Sequence, residues 1–242
     1  MPKPTFKLPS PETGTEYWIW VESVGAGTGP RFPMLFLDGD DQFGPAVTAA
    51  EKEMTAASRP LLLIGVGYGA SYGKPANKRG RDYTPTRHSD EPASGGADRF
   101  ALFIENTLWP ELSRRYPLDP ASRAIGGHSL SSLFGLYALF QPRPFFTHVL
   151  ASAPSIWWDD RSILAQLAKL RDRQVQLPGR LFLGVGEDDS VSMTKDLNLL
   201  LQQFEARPLA GLEIAYRRYP GLNHYNSLPA IFAAGIDWLV SG

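Results

Sequence analysis

The chain has 242 residues, 43% of them hydrophobic and 20% charged, a composition typical of a globular protein with one sizeable core. Its 24 Lys and Arg residues nearly balance its 25 Asp and Glu residues, so the net charge is −1 and no basic stripe indicates a nucleic-acid partner. Because the sequence contains no Cys, a thiolate nucleophile, a disulfide framework and a thiolate zinc site are excluded.

The hydrophobic runs also bear on location and domain count. Residues 1–18 lack the apolar run of roughly 7–15 residues found in a secretory signal, and no later run approaches the roughly 20 apolar residues that span a bilayer. We therefore expect a soluble, cytoplasmic protein without a membrane partner, although a chain whose signal peptide had been removed would look the same. No Pro/Gly/Ser-rich linker divides the segments, so we expect one domain over residues 1–242.

Short apolar runs alternate with stretches of helical spacing along most of the chain. The runs, rich in β-branched and aromatic residues, are at 17–24, 33–38, 61–68, 122–127, 147–154, 180–186 and 212–220. Helical spacing occurs at 46–58, 98–115, 130–140, 159–173, 190–206 and 227–240. This alternation predicts an α/β fold with a mostly parallel, twisted sheet and helices on both faces. Only the turn GAGTGP separates the first two runs, so the N-terminal edge should be antiparallel.

Reacting groups of such sheets collect at the carboxyl ends of the strands. The fourth run is followed there by GGHSLS, in which Ser129 stands between a short strand and a predicted helix. This is the context of a hydrolase nucleophile elbow, Gly-x-Ser-x-Gly, with Ser131 in place of the second glycine. The sequence therefore predicts Ser129 as a nucleophile, and the alternative is a serine that caps the following helix.

A serine nucleophile needs a general base, usually a histidine oriented by a carboxylate. Of the four histidines, His128 should point away from the reacting oxygen, His148 begins a strand, and His88 lies in a polar loop. His224, after the seventh run, is therefore the predicted base, with a simple loop histidine as the alternative.

The acid should follow the sixth run, where GVGEDDS offers three consecutive carboxylates. Glu187 is nearest to the strand end and is the predicted acid, with Asp189 second. The order Ser129, Glu187, His224 is that of α/β-hydrolases. The same acidic cluster has no further oxygen ligands at a recognisable spacing, so a bound hard cation is disfavoured.

Acyl transfer also needs donors for the developing oxyanion. The backbone N–H of Leu130, directly after the nucleophile, is one predicted donor. The loop LFLDGD supplies the other, the N–H of Asp40, whose carboxylate must then point elsewhere because a negative charge beside the oxyanion is unfavourable.

Six motifs taken together resemble the putative-esterase family of α/β-hydrolases, with the enterobactin esterases as the most similar branch. They are LFLDGD, RGRDYTPT, GGHSLSSLFG, SAPSIWW, GVGE and PGLNHYNSLP. The resemblance implies an α/β-hydrolase fold, Ser129 as nucleophile, His224 as base and Asp40 as an oxyanion donor. Some siderophore esterases of the family are thought to use a Ser–His dyad, so the acid stays open between Glu187, Asp189 and none.

The resemblance further implies that RDYTPT and SPSIWW line the mouth of the site. Arg81, Tyr83, Trp157 and Trp158 are therefore predicted substrate contacts, and residues 69–97 a rim loop. The alternatives are a turn with an internal Arg–Asp pair for Arg81 and a partly buried wall for the tryptophans.

The residues and the resemblance together predict a serine carboxylester hydrolase that acts through an acyl-enzyme. Its expected substrate is a small-molecule ester, either a siderophore trilactone or a general ester. No metal or organic cofactor is expected, and the sequence carries no signal for an oligomeric state. The alternatives are a non-catalytic protein that binds a small ligand on the same fold, and an acyltransferase or thioesterase that uses the same residues.

Overall fold

The protein, described here by a computed structural model over residues 5–54 and 58–241, is built on one eight-stranded sheet. The strands are β1 (Phe6–Ser10), β2 (Thr15–Val24), β3 (Phe32–Phe36), β4 (Leu61–Gly67), β5 (Ala124–His128), β6 (His148–Ser152), β7 (Gln176–Gly186) and β8 (Ala210–Tyr219). Their order across the sheet is β1-β2-β4-β3-β5-β6-β7-β8. β3 to β8 are parallel to one another, whereas β2 is antiparallel to β1 and β4.

Helices cover both faces of this sheet. They are α1 (Gly39–Glu53), α2 (Arg79–Asp82), α3 (Ala97–Phe103), α4 (Trp109–Arg115), α5 (Leu130–Leu139), α6 (Trp158–Arg173), α7 (Val191–Ala206) and α8 (Leu228–Val240), with a π-helical turn, Ile104–Leu108, between α3 and α4. α1 and α8 pack on one face and share one hydrophobic core, while α3 to α7 contribute to the core on the other face. The α/β-hydrolase architecture predicted from the sequence is confirmed.

The antiparallel N-terminal edge is also confirmed, with two additions. β2 pairs with β4 rather than with β3, which follows it in the chain. β1, which was not predicted, contains Pro9 and pairs only with β2. A proline is tolerated there because an edge strand does not need every backbone N–H for pairing.

Helix α1 begins earlier than predicted. The expected helix, 46–58, begins at Gly39 and ends at Glu53, and residues 55–57 lie outside the described residues. The chain enters the helix through Asp38, whose φ of 53° is left-handed, and burial of Phe43 fixes the early turns although Pro45 follows. Tertiary packing here outweighs the unfavourable helix propensity of proline. The N-terminus of α1 thereby lies at the carboxyl end of β3.

The carboxyl ends of the parallel strands meet at one edge of the sheet, and the segments that follow β3 to β8 carry the candidate site. Over residues 5–54 and 58–241, no helix is long and apolar enough to cross a membrane.

Candidate active site

Ser129 occupies a strained turn between β5 and α5. Its φ of 67° and ψ of −121° lie in a region that non-glycine residues rarely adopt, and such strain clusters at functional sites. Its side chain does not cap α5, and its Oγ instead lies 3.2 Å from the Oγ of Ser155. The geometry is that of a nucleophile elbow and not of a helix cap.

Ser131, which replaces the second glycine of the Gly-x-Ser-x-Gly pattern, forms hydrogen bonds within the turn. Its hydroxyl accepts the backbone N–H of His128 at 2.8 Å and lies 2.8 Å from the carbonyl of the same residue, which accepts its proton. A Cβ at Gly127 would lie 2.5 Å from this hydroxyl oxygen, so glycine at that position is what admits the serine. The Ser131 hydroxyl therefore stabilises the nucleophile elbow by bonding the backbone of His128, three residues earlier in the chain.

Gln42 of α1 links this elbow by hydrogen bonds to Asp38, which follows the neighbouring strand β3. Its amide nitrogen, which has two protons to donate, lies 3.2 Å from the Ser131 hydroxyl, 3.3 Å from the His128 carbonyl and 3.0 Å from the Asp38 carboxylate. Gln42 is buried, so these contacts are shielded from water. The N-termini of α1 and α5 are therefore held against each other.

His224 lies on the loop between β8 and α8 and is oriented by a carboxylate. Its Nδ1 is 2.9 Å from Oδ2 of Asp189, whose side chain is 1% exposed. Since a carboxylate accepts the hydrogen bond, Nδ1 carries the proton and Nε2 is left with a lone pair to act as a base. This is the tautomer a general base needs.

The prediction of Glu187 as the orienting acid is corrected by this geometry. Glu187 is exposed, and of the three consecutive carboxylates it is Asp189 that contacts the imidazole. The chain turns immediately after β7, with the N–H of Asp189 bonded to the carbonyl of Gly186, which turns the third acid inward and not the first. Within the described part of the chain, no three acidic or histidine side chains are arranged to hold a metal ion.

Asn223 shapes the loop that carries His224. Its side-chain oxygen accepts the backbone N–H groups of Tyr225 and Asn226 at 2.9 and 3.2 Å, and its carbonyl accepts the N–H of Ser227. An asparagine that bonds the backbone just after itself forms a tight turn. His224, the predicted base, therefore lies on a loop that is held by local hydrogen bonds.

His128 lies beside His224 in a buried position. Its ring centroid is 4.5 Å from that of His224, and its Nδ1 is 2.8 Å from the hydroxyl of Ser152. Burial lowers the pKa of His128 to about 3, and the neighbouring His224 acts in the same direction. A neutral imidazole at this position adds no positive charge beside His224 at neutral pH.

The two predicted oxyanion donors stand at adjacent helix N-termini. Leu130 is the first residue of α5 and Asp40 the second of α1, so the N–H of each belongs to a first turn that has no intrahelical acceptor. The carboxylate of Asp40 accepts the backbone N–H of Tyr68 at 2.6 Å, at the end of β4. The Asp40 side chain is thus engaged by that strand end, as an oxyanion donor at this position requires.

Two clefts meet at Ser129 and His224, and both are lined by these two residues. The larger, about 510 Å³, is also lined by Trp157, Asp188, Asp189, Ser190, Ser192, Met193, Asn223 and Tyr225. The smaller, about 290 Å³, is also lined by Tyr72, Arg79, His128, Tyr225 and Leu228. Their combined size suits a small organic molecule with a group on each side of the nucleophile.

Of the four predicted substrate contacts, only Trp157 lines a cleft, where it is 44% exposed. The side chain of Arg81 is bonded to both oxygens of Asp82 and to Thr15, which is the internal pair given as the alternative. Tyr83 is fully buried and Trp158 is 4% exposed. These three residues do not line the clefts, because Arg81 and Tyr83, in and directly after the short helix α2, and Trp158, at the start of α6, pack their side chains within the protein.

Arg79 and Tyr72 line the smaller cleft and were missed. Arg79 donates to both carboxylate oxygens of the buried Asp38 at 3.0 and 2.9 Å, and its guanidinium lies 4.7 Å from the centre of the Tyr72 ring. Arg79 precedes Arg81 by two residues in the same motif, and no feature of the sequence separates the two. The pairing with Asp38 holds the rim segment against the start of α1.

Comparison with known proteins identifies the family of the chain. Residues 28–235 match the family described as Putative esterase. Ferri-bacillibactin esterase BesA of Bacillus subtilis is 28% identical over a 246-residue alignment that covers 91% of this chain and 83% of BesA. The siderophore triacetylfusarinine C esterase of Aspergillus fumigatus is 35% identical over 165 residues, which cover 63% of this chain and 56% of that protein.

A solved structure extends the likeness to the whole fold. The crystal structure of the BES protein from Bacillus cereus matches with a TM-score of 0.87 at 26% identity, covering 97% of this chain and 93% of that one. The strained serine, the His224–Asp189 pair and the family match over most of the sequence agree with one another. The chain belongs to the putative-esterase family of α/β-hydrolases and is a serine esterase.

Proposed function

We propose that this esterase hydrolyses siderophore esters through an acyl-enzyme on Ser129. The observation that carries the proposal is that Ser129, in its strained elbow, and His224, oriented by Asp189, line the same two clefts. The substrate class is supported by two relatives, which are named as esterases of ferri-bacillibactin and of the siderophore triacetylfusarinine C.

The reaction follows the logic of a serine triad. Nε2 of His224 takes the proton of Ser129 as its oxygen attacks the ester carbonyl, and Asp189 stabilises the imidazolium that forms. The N–H groups of Leu130 and Asp40 receive the oxyanion. His224 then protonates the leaving alcohol, and water, activated by the same imidazole, releases the acid.

The walls of the clefts suit a substrate with aromatic groups. Trp157 and the 89% exposed Tyr225 present flat apolar surface at the mouth, and Tyr72 does so in the smaller cleft. Residues 69–97, which carry Tyr72 and Arg79, act as the rim of the site in this proposal.

The test compares kcat/KM of the wild type and Ser129→Ala on a catecholate trilactone and on a short-chain p-nitrophenyl ester. We expect turnover of the trilactone well above that of the aryl ester, and a loss of about 10⁴-fold or more in the variant. Turnover of the aryl ester alone would reject the siderophore class and leave a general carboxylesterase. Undiminished activity of Ser129→Ala would reject the nucleophile.

A fluorophosphonate that labels activated serines separates an enzyme from a protein that only binds its ligand. The expected result is one adduct per chain, on Ser129, that is absent from Ser129→Ala. A wild-type protein that binds the trilactone but forms no adduct would favour the non-catalytic reading.

A further inference from the structure

The hydroxyl closest to the nucleophile belongs to Ser155, in the loop that follows β6. Its Oγ lies 3.2 Å from the Oγ of Ser129, and the residue is fully buried, with 0% of its surface exposed. Neither the His224–Asp189 pair nor the two oxyanion N–H groups accounts for a second hydroxyl against the reacting atom. In the sequence it is only the second serine of SAPSIWW.

The backbone holds this hydroxyl in place at an energetic cost. Ala153, two residues before it, has a left-handed φ of 41°, which is unfavourable for a residue with a Cβ. The N–H of Ala153 bonds the carbonyl of Gly184 at 2.7 Å, and the N–H of Ser155 bonds the carbonyl of Ser129 at 3.3 Å. Strain of this kind persists where the surroundings determine the conformation, and here they fix Ser155 against the elbow.

The direction of the hydrogen bond between Ser129 and Ser155 follows from where each hydroxyl proton can be accepted. Among the described residues, the Ser155 hydroxyl has the Oγ of Ser129 as its hydrogen-bond partner, and either oxygen can be the donor by distance alone. If Ser129 were the donor, the proton of Ser155 would be buried without an acceptor, which is unfavourable. If Ser155 donates, its proton is satisfied and the proton of Ser129 stays free for His224. The second arrangement leaves no buried proton without a partner.

We propose that Ser155 is a catalytic residue whose O–H donates a hydrogen bond to the Oγ of Ser129. The proposal rests on Ser129 being the nucleophile. The bond directs the Ser129 proton away from Ser155 and toward Nε2 of His224. It also places a donor on the oxygen that gains negative charge as its proton leaves and again when it departs from the acyl group.

Ser155 keeps its own proton throughout the reaction. In acylation the Oγ–carbon bond forms, the Ser129 proton passes to His224, and the leaving alcohol takes that proton as its bond to the carbonyl carbon breaks. In deacylation a water oxygen bonds to the carbonyl carbon, its proton passes to His224, and the Oγ of Ser129 recovers that proton as the acyl bond breaks. A donor on Oγ assists the departure of Ser129, as donors do for other developing anions.

The test uses Ser155→Ala, with Ser155→Cys as the conservative variant and Ser132→Ala as the matched control. Ser132 is also a fully buried serine beside the elbow, but its hydroxyl bonds the carbonyls of Gly127 and Ser152 and not the nucleophile. Both alanine variants therefore delete one buried hydroxyl, and only one of them touches Oγ. The readouts are kcat and KM on a p-nitrophenyl ester, the rate of fluorophosphonate labelling, and the midpoint of urea unfolding.

In Ser155→Ala we expect kcat and the labelling rate to fall about 10- to 100-fold, as for the loss of a hydrogen bond to a charged group, with KM within about two-fold of the wild type. Ser155→Cys keeps a weaker donor, so its kcat and labelling rate should lie between those of Ser155→Ala and the wild type. Ser132→Ala should lose stability but label at close to the wild-type rate.

Ser155→Ala that labels and turns over like the wild type would overturn the proposal, as would an equal loss of rate in Ser132→Ala. Ser129→Ala, measured in parallel, separates this failure from that of the proposed function. If Ser129→Ala is inactive while Ser155→Ala is unimpaired, only the role of Ser155 is rejected. If Ser129→Ala stays active, both are rejected.

Discussion

Nδ1 of His224 lies 2.9 Å from Oδ2 of Asp189, and the carboxylate it meets is almost wholly shielded from water. A buried carboxylate that accepts the Nδ1 proton fixes both the tautomer and the orientation of the ring. An exposed carboxylate two residues away in the chain does neither. The catalytic assignment of the acid can therefore be tested between two residues of the same turn.

Asp189→Asn should lower kcat by about 10²- to 10⁴-fold, because an amide at this position favours the wrong tautomer of His224. The matched control is Glu187→Gln, which should change kcat by less than about two-fold since Glu187 is exposed. Steady-state kinetics on a p-nitrophenyl ester are sufficient. Wild-type kcat in Asp189→Asn would instead establish a Ser–His dyad.

Ser131→Gly restores the usual Gly-x-Ser-x-Gly pattern and should nevertheless destabilise the protein. It removes the hydroxyl that joins the N–H and carbonyl of His128 to Gln42, and it places a glycine in the first turn of α5. We expect a loss of about 2–3 kcal/mol in the free energy of unfolding by urea. Ser131→Ala removes the hydroxyl without introducing a glycine, so it should show only the part of the stability loss that comes from the hydrogen bonds. An equal or higher stability of Ser131→Gly would refute the role given to the hydroxyl.

Trp157 and Trp158 are adjacent in sequence but should respond oppositely to truncation. Trp157→Ala removes an exposed cleft wall, so KM for an aromatic ester should rise several-fold with little change in the unfolding midpoint. Trp158→Ala deletes a buried ring whose Nε1 donates to the carbonyl of Thr86, and should cost about 3–5 kcal/mol of stability. Urea unfolding together with KM for each variant checks both. A stable Trp158→Ala with raised KM would restore Trp158 as a substrate contact.

His128 should make the fold sensitive to acid. Its pKa is lowered to about 3 in the folded protein by burial, against 6.5 for an unperturbed histidine, with His224, Asp189 and Arg79 as its charged or titratable neighbours. Between these values the unfolded chain binds a proton that the folded chain does not, so stability is present at neutral pH and is lost as the pH falls below about 6.5.

The slope expected from this one group is about 1.4 kcal/mol per pH unit between pH 6 and pH 4. His128→Gln should flatten the pH dependence of the unfolding free energy by roughly that amount. His148, whose pKa burial lowers to about 4, supplies a second such contribution, so part of the acid sensitivity should persist. An unchanged slope in His128→Gln would show that His128 takes up its proton in the folded state.

The strand ends could be predicted from the sequence because the apolar runs and the polar residues after them follow the period and composition of a parallel sheet. Ser129 and His224 could be predicted as nucleophile and base because Ser129 stands between a short strand and a helix, and His224 follows the last strand. The carboxylate beside His224 could not be predicted, because Glu187, Asp188 and Asp189 are consecutive and only the turn after β7 decides which one points inward. Composition carries no information on the direction of that turn.

The rim was the least predictable part for a related reason. Arg79, Arg81 and Tyr83 alternate within five residues, and the short helix α2 places Arg79 at the cleft and the other two in the protein. The helix is held by partners far away in sequence, Asp38 and Thr15, which local spacing does not reveal. Gln42 and Ser155 likewise act through contacts with the elbow that form only once the strands are side by side.

The meeting of two clefts at Ser129 has a kinetic consequence for a cyclic ester. When a lactone acylates the serine, the alcohol it releases stays covalently attached to the acyl group, so ring closure competes with hydrolysis for every acyl-enzyme. Since Ser129 lines two clefts, we expect the freed arm to occupy one of them while water enters through the other. The ratio of opened to re-closed ring is then governed by how far that arm can travel, and widening or filling the cleft beside Tyr72 and Arg79 is the direct means of changing it.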